Sequence, residues 1–239
     1  MPTLRLDKII SGSGLYSRSE AVALIRRGSV AVGGEPALSA AEKHDPESEQ
    51  ITVNGELIEF RKFRYIMLNK PRGYVSSTED KREKTVLELL DERYSKLGLF
   101  PAGRLDKDAE GLLLLTNDGE LAHEITSPSK KVNKCYFVEI DDTVTAADAG
   151  RFARGITLGD GTICKPAVLE PVPGGAYVTI HEGKYHQVKR MMAAIGKRVK
   201  SLKRISIGGL RLDESLKPGE YRELSEGIDP IFNDNGTQV

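Results

Sequence analysis

Short apolar runs bounded by polar turn residues recur along the chain from Tyr65 onward, and each predicts a buried β-strand. The clearest run is Leu112–Leu115, which is followed by Asn117, Asp118 and Gly119. Because Asn-Asp-Gly tolerates the positive φ of a tight turn, we expect a hairpin after this strand. The five expected strands are Tyr65–Leu68, Leu112–Leu115, Cys135–Ile140, Tyr177–Ile180 and Ile205–Ile207.

Helical spacing appears between these strands. In the last of the helical segments Val188, Met192 and Ile195 fall on one face. The expected helices are Thr85–Leu90, Gly119–Ile125, Ala146–Gly155 and Tyr185–Ile195. Strands with scattered helices predict an α+β domain over residues 65–230, built on a mixed, largely antiparallel sheet with flanking helices.

The first sixty residues have the pattern of a separate small unit. Leu4, Leu6, Ile9 and Ile10 have helical spacing. Ser17 with Glu20 three residues later predicts a capping box, opening a helix over residues 18–27 that ends at Gly28. Short strands are expected at Val30–Val32 and Ile51–Val53. We expect a linker at 61–64 and a flexible tail at 231–239.

Composition limits the function classes. The 239 residues carry 35 basic and 35 acidic side chains, and no apolar run approaches the length of a membrane span. No signal peptide is recognisable, so we expect a cytoplasmic protein. Two cysteines, Cys135 and Cys164, favour reduced thiols, and the four histidines are not spaced to hold a metal.

The neutral net charge conceals segregated blocks. Residues 1–34 hold five basic side chains against two acidic ones, residues 35–60 hold seven acidic ones against Lys43, and residues 182–204 hold eight basic ones against Glu182. Two separate basic blocks in a balanced chain favour a polyanionic partner over simple solvated surfaces.

The first unit resembles the S4 RNA-binding domain. The resemblance rests on Arg-Leu-Asp-Lys at 5–8, Ser-Arg-Ser-Glu-Ala at 17–21 and Arg-Gly-Ser-Val-Ala-Val-Gly-Gly at 27–34. It implies that arginines of this unit contact RNA phosphates, which position an RNA without reading its sequence. The candidates are Arg5, Arg18, Arg26 and Arg27.

The loop before the leucine strand carries Arg104, Asp106 and Asp108. A nearby guanidinium keeps a carboxylate ionised, so either aspartate could act as a nucleophile or base. An aspartate in such a loop more often bonds its own backbone in a turn. A glycosidase-like pair is disfavoured, because residues two apart on an extended segment point to opposite faces.

Taken together, the motifs resemble those of bacterial pseudouridine synthases, in the RsuA-like branch that acts on the ribosomal small subunit. The resemblance covers nearly the whole chain. Its motifs are Asn-Lys-Pro-Arg-Gly at 69–73, Gly-Arg-Leu-Asp at 103–106, the segment 111–119, Lys-Cys-Tyr at 134–136, Glu-Gly at 182–183, His-Gln-Val-Lys-Arg-Met at 186–191, Leu-Lys-Arg at 202–204 and Ile-Gly at 207–208.

The resemblance implies isomerisation of a uridine in 16S rRNA. It assigns Asp106 as the catalytic carboxylate, Tyr136 as the aromatic side chain under the target uracil, and Lys189 as the cation paired with Asp106. Many relatives have arginine at the position of Lys189, and lysine cannot make a bidentate clamp. The substrate pocket would include Arg104, Leu105, Leu202, His186 and Gln187, and further RNA contacts would come from Arg190 and Arg204.

The reaction requires neither oxidation nor hydrolysis, so no cofactor and no metal are expected. The implied partner is 16S rRNA, free or in a small-subunit assembly intermediate, and we expect a monomer. Three alternatives remain open at the sequence level: a 23S rRNA or tRNA pseudouridine synthase, a non-catalytic S4-type ribosome-assembly protein, and a carboxylate glycoside hydrolase.

Overall fold

The computed structural model describes residues 3–224, which divide into two compact units. Of the described residues, the first unit comprises 3–64 together with 90–99, and the second comprises 65–89 and 100–224. The segment 61–64 groups with the first unit, although it was expected to be a linker, and 90–99 was expected in the second domain. The predicted domain end at 230 and the predicted tail, 231–239, lie outside the described residues.

The first unit is a helical pair with short antiparallel strands. The capping box is confirmed: the Ser17 Oγ accepts from the Glu20 N–H at 3.2 Å, and the Glu20 carboxylate accepts from the Ser17 N–H at 2.6 Å. Leu4 belongs to a strand, and the first helix begins two residues later. The elements are β1 (Leu4–Arg5), α1 (Leu6–Gly12), α2 (Arg18–Arg26), β2 (Val30–Val32), β3 (Glu35–Pro36), β4 (Lys43–His44), β5 (Ile51–Val53) and β6 (Glu56–Leu57).

The second unit is built on a nine-stranded sheet. Its strands run in the order β11-β12-β10-β13-β9-β7-β15, with β14 beside β13 and β8 beside β9. Its elements are β7 (Tyr65–Lys70), β8 (Phe100–Pro101), β9 (Glu110–Thr116), α3 (Gly119–Thr126), β10 (Lys134–Ile140), α4 (Ala146–Arg154), β11 (Val168–Val172), β12 (Gly175–Ile180), α5 (Gln187–Ala194), β13 (Val199–Ile207), β14 (Leu210–Arg211) and β15 (Tyr221–Glu223).

This sheet confirms the predicted fold class, a mixed and largely antiparallel sheet with flanking helices. All its strand pairs are antiparallel except β9 with β13. All five predicted strands are present, each longer than the apolar run that indicated it. Within the described range, every helix is too short or too polar to span a bilayer.

The prediction of a hairpin after the leucine strand is wrong. Asp118 instead forms the N-cap of α3, where its Oδ1 accepts a hydrogen bond from the Leu121 N–H at 3.1 Å. Its second oxygen accepts from the Tyr65 hydroxyl at 2.9 Å. Asp is a strong N-cap residue, and the amphipathic segment that follows packs on the core, so helix capping prevails over turn formation. The expected helix at 85–90 is a short 3₁₀ turn, Val86–Leu89.

The leucine strand lies inside the sheet, with β7 on one side and β13 on the other. Leu112–Leu115 are all fully buried, so β9 is a rigid support for the loop that precedes it. The parallel pairing with β13 places Gly111 opposite Arg204. Gly111 has φ +99°, and a Cβ there would collide with the Arg204 backbone, so the close approach of the two strands requires glycine.

Candidate active site

The loop at residues 103–109 is held from beneath by a buried lysine. Lys70, the last residue of β7, is fully buried, and its ammonium donates to the carbonyl oxygens of Ala109 at 2.8 Å, Asp106 at 3.1 Å and Lys107 at 3.4 Å. The Pro71 carbonyl also lies 3.0 Å from this nitrogen, so the three N–H groups of the ammonium are shared among four acceptors. Burial lowers the pKa of Lys70 to about 8, although the nearby carboxylates oppose this shift. The loop is therefore fixed through its backbone, so that its side chains can make other contacts.

A second anchor holds the residue before Asp106. The Ser76 hydroxyl bonds both the N–H and the carbonyl of Leu105, each at 3.0 Å. Leu105 itself is buried. Asp106 thus projects from a backbone that is fixed on both sides, and preorganisation of this kind is what a catalytic group requires.

The ammonium of Lys189, on α5, contacts both aspartates of the loop. Its ammonium lies 3.1 Å from the Asp106 Oδ2 and 2.5 Å from the Asp108 Oδ1. Burial disfavours the charged form of Lys189, but hydrogen bonds to Asp108 and Asp106 outweigh it and raise the pKa of the amine. The bond from Lys189 likewise lowers the pKa of Asp108. The ion pair expected between Asp106 and Lys189 is thus present in a three-membered cluster.

A turn role alone does not describe Asp108, because its carboxylate also bonds Lys189. Asp106 and Asp108 are two residues apart, but the loop between them is not an extended strand, because the Ala109 N–H returns to the Asp106 carbonyl at 3.1 Å. The turn brings both carboxylates within reach of one ammonium. A single lysine can bond two carboxylates in this way because its three donors are not confined to one plane.

The start of α5 brings a histidine to the same carboxylate. His186 is the N-cap residue, has a left-handed backbone conformation (φ 48°, ψ 34°), and makes no side-chain capping bond. Its Nε2 lies 3.5 Å from the Asp106 Oδ1, and its ring stacks on Tyr185 with centroids 3.9 Å apart. The helix begins at Gln187, two residues later than the apolar spacing predicted.

Buried Gln187 and Glu182 fix this turn. The Gln187 amide donates to the Glu182 carboxylate at 2.7 Å and accepts from the Lys184 N–H at 2.9 Å. The same carboxylate accepts from the Lys184 ammonium at 2.6 Å and from the Lys165 N–H at 2.9 Å. Burial opposes ionisation of Glu182, but these donors outweigh it and lower its pKa. Gln187 therefore acts mainly as a support for the turn that presents His186.

A cavity of about 730 Å³ opens over the aspartate loop. Tyr136 of β10 and Leu202 of β13 both line it, and both are buried. The register pairs Tyr136 with Arg204 and Val138 with Leu202, so these side chains share one face of the sheet. The cavity also contains Asp106, which places a carboxylate and an aromatic ring in one enclosure. Among residues 3–224, no three His, Cys, Asp or Glu side chains are grouped to hold a metal ion.

The arginines expected near the cavity occupy three different environments. Arg104 is exposed and lines the cavity. Arg190 is half-buried and pairs with Asp160 at 2.5 Å. Arg204 is only 3% exposed, and its Nε donates to the Leu112 carbonyl at 2.7 Å. Its guanidinium fastens β13 to β9, and Arg204 also lines the cavity, so its contact with RNA stays a prediction.

In the first unit the four candidate arginines are exposed on or beside the two helices. Two of them share a buried carboxylate, because Asp7 pairs with Arg5 at 2.9 Å and with Arg18 at 3.1 Å. The hydrogen bond from Arg5 is the main cause of a lowered pKa at Asp7; burial opposes it and Arg18 adds to it. Asp7 therefore holds two outward-facing guanidinium groups in fixed positions.

Sequence reasoning missed the supporting residues Lys70, Ser76 and Glu182. Lys70 and Glu182 stood in the motifs that were recognised, but a motif does not show whether a charged side chain faces solvent or a buried carbonyl. The available signal was local: Lys70 lies at the end of an apolar strand run, where a charged side chain is buried only if it is paired.

Comparison with known proteins gives consistent matches. The model of the RNA pseudouridylate synthase family matches residues 64–194, and that of the S4 domain matches residues 4–49. An RNA pseudouridine synthase of Bacillus subtilis is 46% identical, covering 93% of this chain and 95% of the relative. The ribosomal small subunit pseudouridine synthase A of Escherichia coli is also 46% identical, covering 93% and 97%. A crystal structure of a pseudouridylate synthase superposes with a TM-score of 0.64 at 42% identity, covering 93% of this chain and 96% of that one.

Proposed function

The chain belongs to the RNA pseudouridine synthase family, in its ribosomal small-subunit branch, and from this premise we propose that it isomerises one uridine of 16S rRNA, with Asp106 as the catalytic carboxylate. The observation that supports this assignment best is the Asp106–Lys189 ion pair beside a cavity lined by Tyr136. The S4 unit and its outward-facing arginines supply the RNA contacts. We propose that the RNA is met in the cytoplasm, free or in a small-subunit assembly intermediate.

The reaction breaks the bond between C1′ of ribose and N1 of uracil, turns the base, and joins C1′ to C5. The proton on C5 is then lost and N1, no longer bonded to the sugar, takes up a proton, so the product is an isomer of the substrate. Asp106 can act on the sugar either as a nucleophile at C1′ or as a base at C2′, and both routes require the ionised carboxylate. The Lys189 ammonium lies 3.1 Å from the Asp106 Oδ2, where it pairs with the carboxylate.

The cavity suits the remaining requirements of this chemistry. A uridine in folded RNA must be turned out of its stack, and an aromatic side chain such as Tyr136 can replace part of the lost stacking. The detached uracil must also stay in place until C5 reaches C1′. Buried Leu105 and Leu202 at the cavity wall, with Tyr136, provide the apolar enclosure that retains it.

The test is chemical mapping of pseudouridine in ribosomal RNA from cells with and without the gene. We expect one site in 16S rRNA to disappear and to return when the wild-type protein is supplied. An unchanged 16S profile with a missing 23S or tRNA site would contradict the choice of substrate. Unchanged profiles in all three RNAs would contradict the activity and favour an assembly role. Release of free base or sugar from RNA would indicate a glycoside hydrolase.

Asp108→Asn should lower turnover only modestly, by less than about tenfold. Asp108 shares Lys189 with Asp106, so its loss removes one partner and leaves the Asp106 ion pair in place. Lys189→Met removes the cation itself, and we expect a loss of about 10²-fold or more, the range found when a charge-stabilising group is deleted. Single-turnover rates on the same RNA check both.

Asp142→Asn is the matched control, because Asp142 also pairs with a lysine, Lys197 at 2.6 Å, but lies away from the cavity. Its rate should equal that of the wild type. If Asp108→Asn were as damaging as Lys189→Met, the catalytic carboxylate would have to be reassigned between the two aspartates.

Arg18→Gln should weaken RNA binding similarly for all sequences, and should reduce the slope of log K against log salt concentration by about one, as loss of one phosphate contact does. Lys43→Gln is the control, because Lys43 is exposed in the same unit but stands within the acidic block. Filter binding of 16S rRNA fragments over a series of salt concentrations measures both slopes. Equal slopes for the two variants would remove Arg18 from the RNA-binding surface.

A further inference from the structure

Tyr185 is an exposed aromatic residue at the edge of the active-site cavity. It is 75% exposed, yet it lines the same cavity as Asp106 and Tyr136. One face of its ring is covered by the imidazole of His186, with centroids 3.9 Å apart and the planes 18° from parallel. Since one face is occupied and most of the residue is exposed, the opposite face is open to solvent.

His186 combines this stack with an uncommon backbone conformation. A left-handed conformation is uncommon for a residue other than glycine, and His186 adopts it without a side-chain capping bond that would compensate. The Glu182–Gln187 bonds hold the flanking turn in place. The conformation places the imidazole between the Tyr185 ring and the Asp106 carboxylate, which is 3.5 Å from the Nε2. Strain of this kind is retained where the geometry serves a site.

The surroundings of the pair are basic. Three cations lie beside it, each held in place by a carboxylate: Lys184 by Glu182, Lys189 by Asp106 and Asp108, and Arg190 by Asp160. The Arg190 Nη1 also donates to the Tyr185 carbonyl at 3.3 Å, which ties the backbone of this residue to the helix. An aromatic face beside fixed cations matches an unpaired nucleotide, whose base stacks on the ring while its phosphate meets the positive charge.

We propose that the Tyr185–His186 pair is a second base-binding site, which receives an unpaired nucleobase adjacent to the target uridine. This inference rests on the proposed function, because it takes the uridine to enter the cavity at Asp106. A nucleotide one step along the strand then leaves the cavity over the exposed ring. Stacking there compensates for the neighbour's lost contact with the extruded uridine and favours loops over duplex RNA.

Kinetics on a 16S rRNA fragment that the wild-type protein modifies gives the first test. Tyr185→Ala should raise KM about tenfold and leave kcat within about twofold, because base stacking contributes to binding and not to the chemical step. Tyr185→Phe keeps the ring and should restore the wild-type KM. Ile163→Ala, another exposed apolar position in the same unit but outside the cavity lining, should change neither constant.

Fluorescence gives a second test that needs no turnover. The chain has no tryptophan, so Tyr185→Trp places a single tryptophan in the site, which can be excited apart from the tyrosines, while preserving an aromatic face. RNA loops should quench its emission, and an abasic residue on one side of the target uridine should abolish the quenching. The same replacement at Tyr177, which contacts Phe137 in the sheet, is the control and should stay unquenched.

The two proposals can fail separately. Unquenched emission from the Tyr185→Trp protein at saturating RNA, or a Tyr185→Ala protein with the wild-type KM, would overturn the base-binding site even where pseudouridine forms. Absence of pseudouridine with intact, flank-dependent quenching would overturn the proposed activity and leave the binding site supported.

Discussion

Replacing Asp106 with asparagine is expected to reduce pseudouridine formation by at least about 10³-fold, the scale on which removal of a catalytic base or nucleophile acts. Asparagine has nearly the shape of aspartate but carries no charge, so it can neither attack C1′ nor accept a proton from C2′. Single-turnover assays with excess enzyme on 16S rRNA measure the chemical step directly. Turnover close to wild type would remove Asp106 from the mechanism.

From the structure we expect Asp106→Asn to remove the charge without disturbing the loop. The loop is fixed through backbone carbonyls that bond Lys70, and the substitution leaves these bonds in place. Lys189 keeps Asp108 as a partner at 2.5 Å, so the contact between the loop and α5 survives. We therefore expect the thermal midpoint to change by less than about 2 °C and RNA affinity to stay within about twofold. A large loss of either would assign Asp106 a structural role instead.

The sequence predicted five of the nine strands of the sheet and three residues, Asp106, Tyr136 and Lys189, that the structure places near one cavity. Continuous apolar runs such as Leu112–Leu115 indicate buried strands because a strand buries all its side chains only where other elements cover both faces of the sheet. The resemblance carried by the ordered motifs assigned Asp106, Tyr136 and Lys189 to one site, although the three lie on different elements. Local patterns could not supply strand order, so the parallel contact of β9 with β13 and the need for Gly111 were not predicted.

One physical reason explains why the sequence did not predict the contacts of these polar residues. Asp118 was assigned to a turn and caps a helix, and Asp108 was assigned to a turn and shares a lysine. Both are short acidic side chains whose role depends on which donor lies nearby in space. Arg204 was assigned only to RNA contact, and its position within β13 also makes it the buried partner of a backbone carbonyl. Polar residues in general have several possible partners, and only tertiary structure selects among them.

Lys70→Met is expected to have the second large effect, on both stability and activity. Methionine fills a similar unbranched space but donates no hydrogen bond, so the buried carbonyls of Asp106 and Ala109 lose their donor. Each unsatisfied buried acceptor costs about 1–3 kcal/mol, and we expect the free energy of unfolding to fall by about 2–4 kcal/mol. With the loop released, Asp106 loses its fixed position, and a displacement of about 1 Å can cost about 10²-fold in rate.

Lys107→Met is the matched control for this substitution. Lys107 lies in the same loop, but its ammonium is on the surface, where it pairs with Glu83 at 2.6 Å. Exposed pairs contribute about 0–1 kcal/mol, so this variant should unfold almost as the wild type does and keep its activity. Comparable losses in the two variants would mean that the loop depends on charge in general and not on the buried anchor.

The pH dependence of stability shows whether Lys70→Met acts by removing a buried cation or only by changing the packing. Burial lowers the pKa of Lys70 to about 8 in the folded state, whereas the unfolded chain has the ordinary value of 10.5. Between about pH 8 and 10.5 the unfolded state therefore binds more protons, and the stability that Lys70 confers rises with pH. Denaturant unfolding at several pH values should show the wild type gaining stability relative to Lys70→Met across this window and a constant difference below it. If the difference in free energy of unfolding between the two proteins did not change up to pH 10.5, the pKa of Lys70 would be the same in the folded and unfolded states. That result would contradict desolvation of the Lys70 ammonium in the fold.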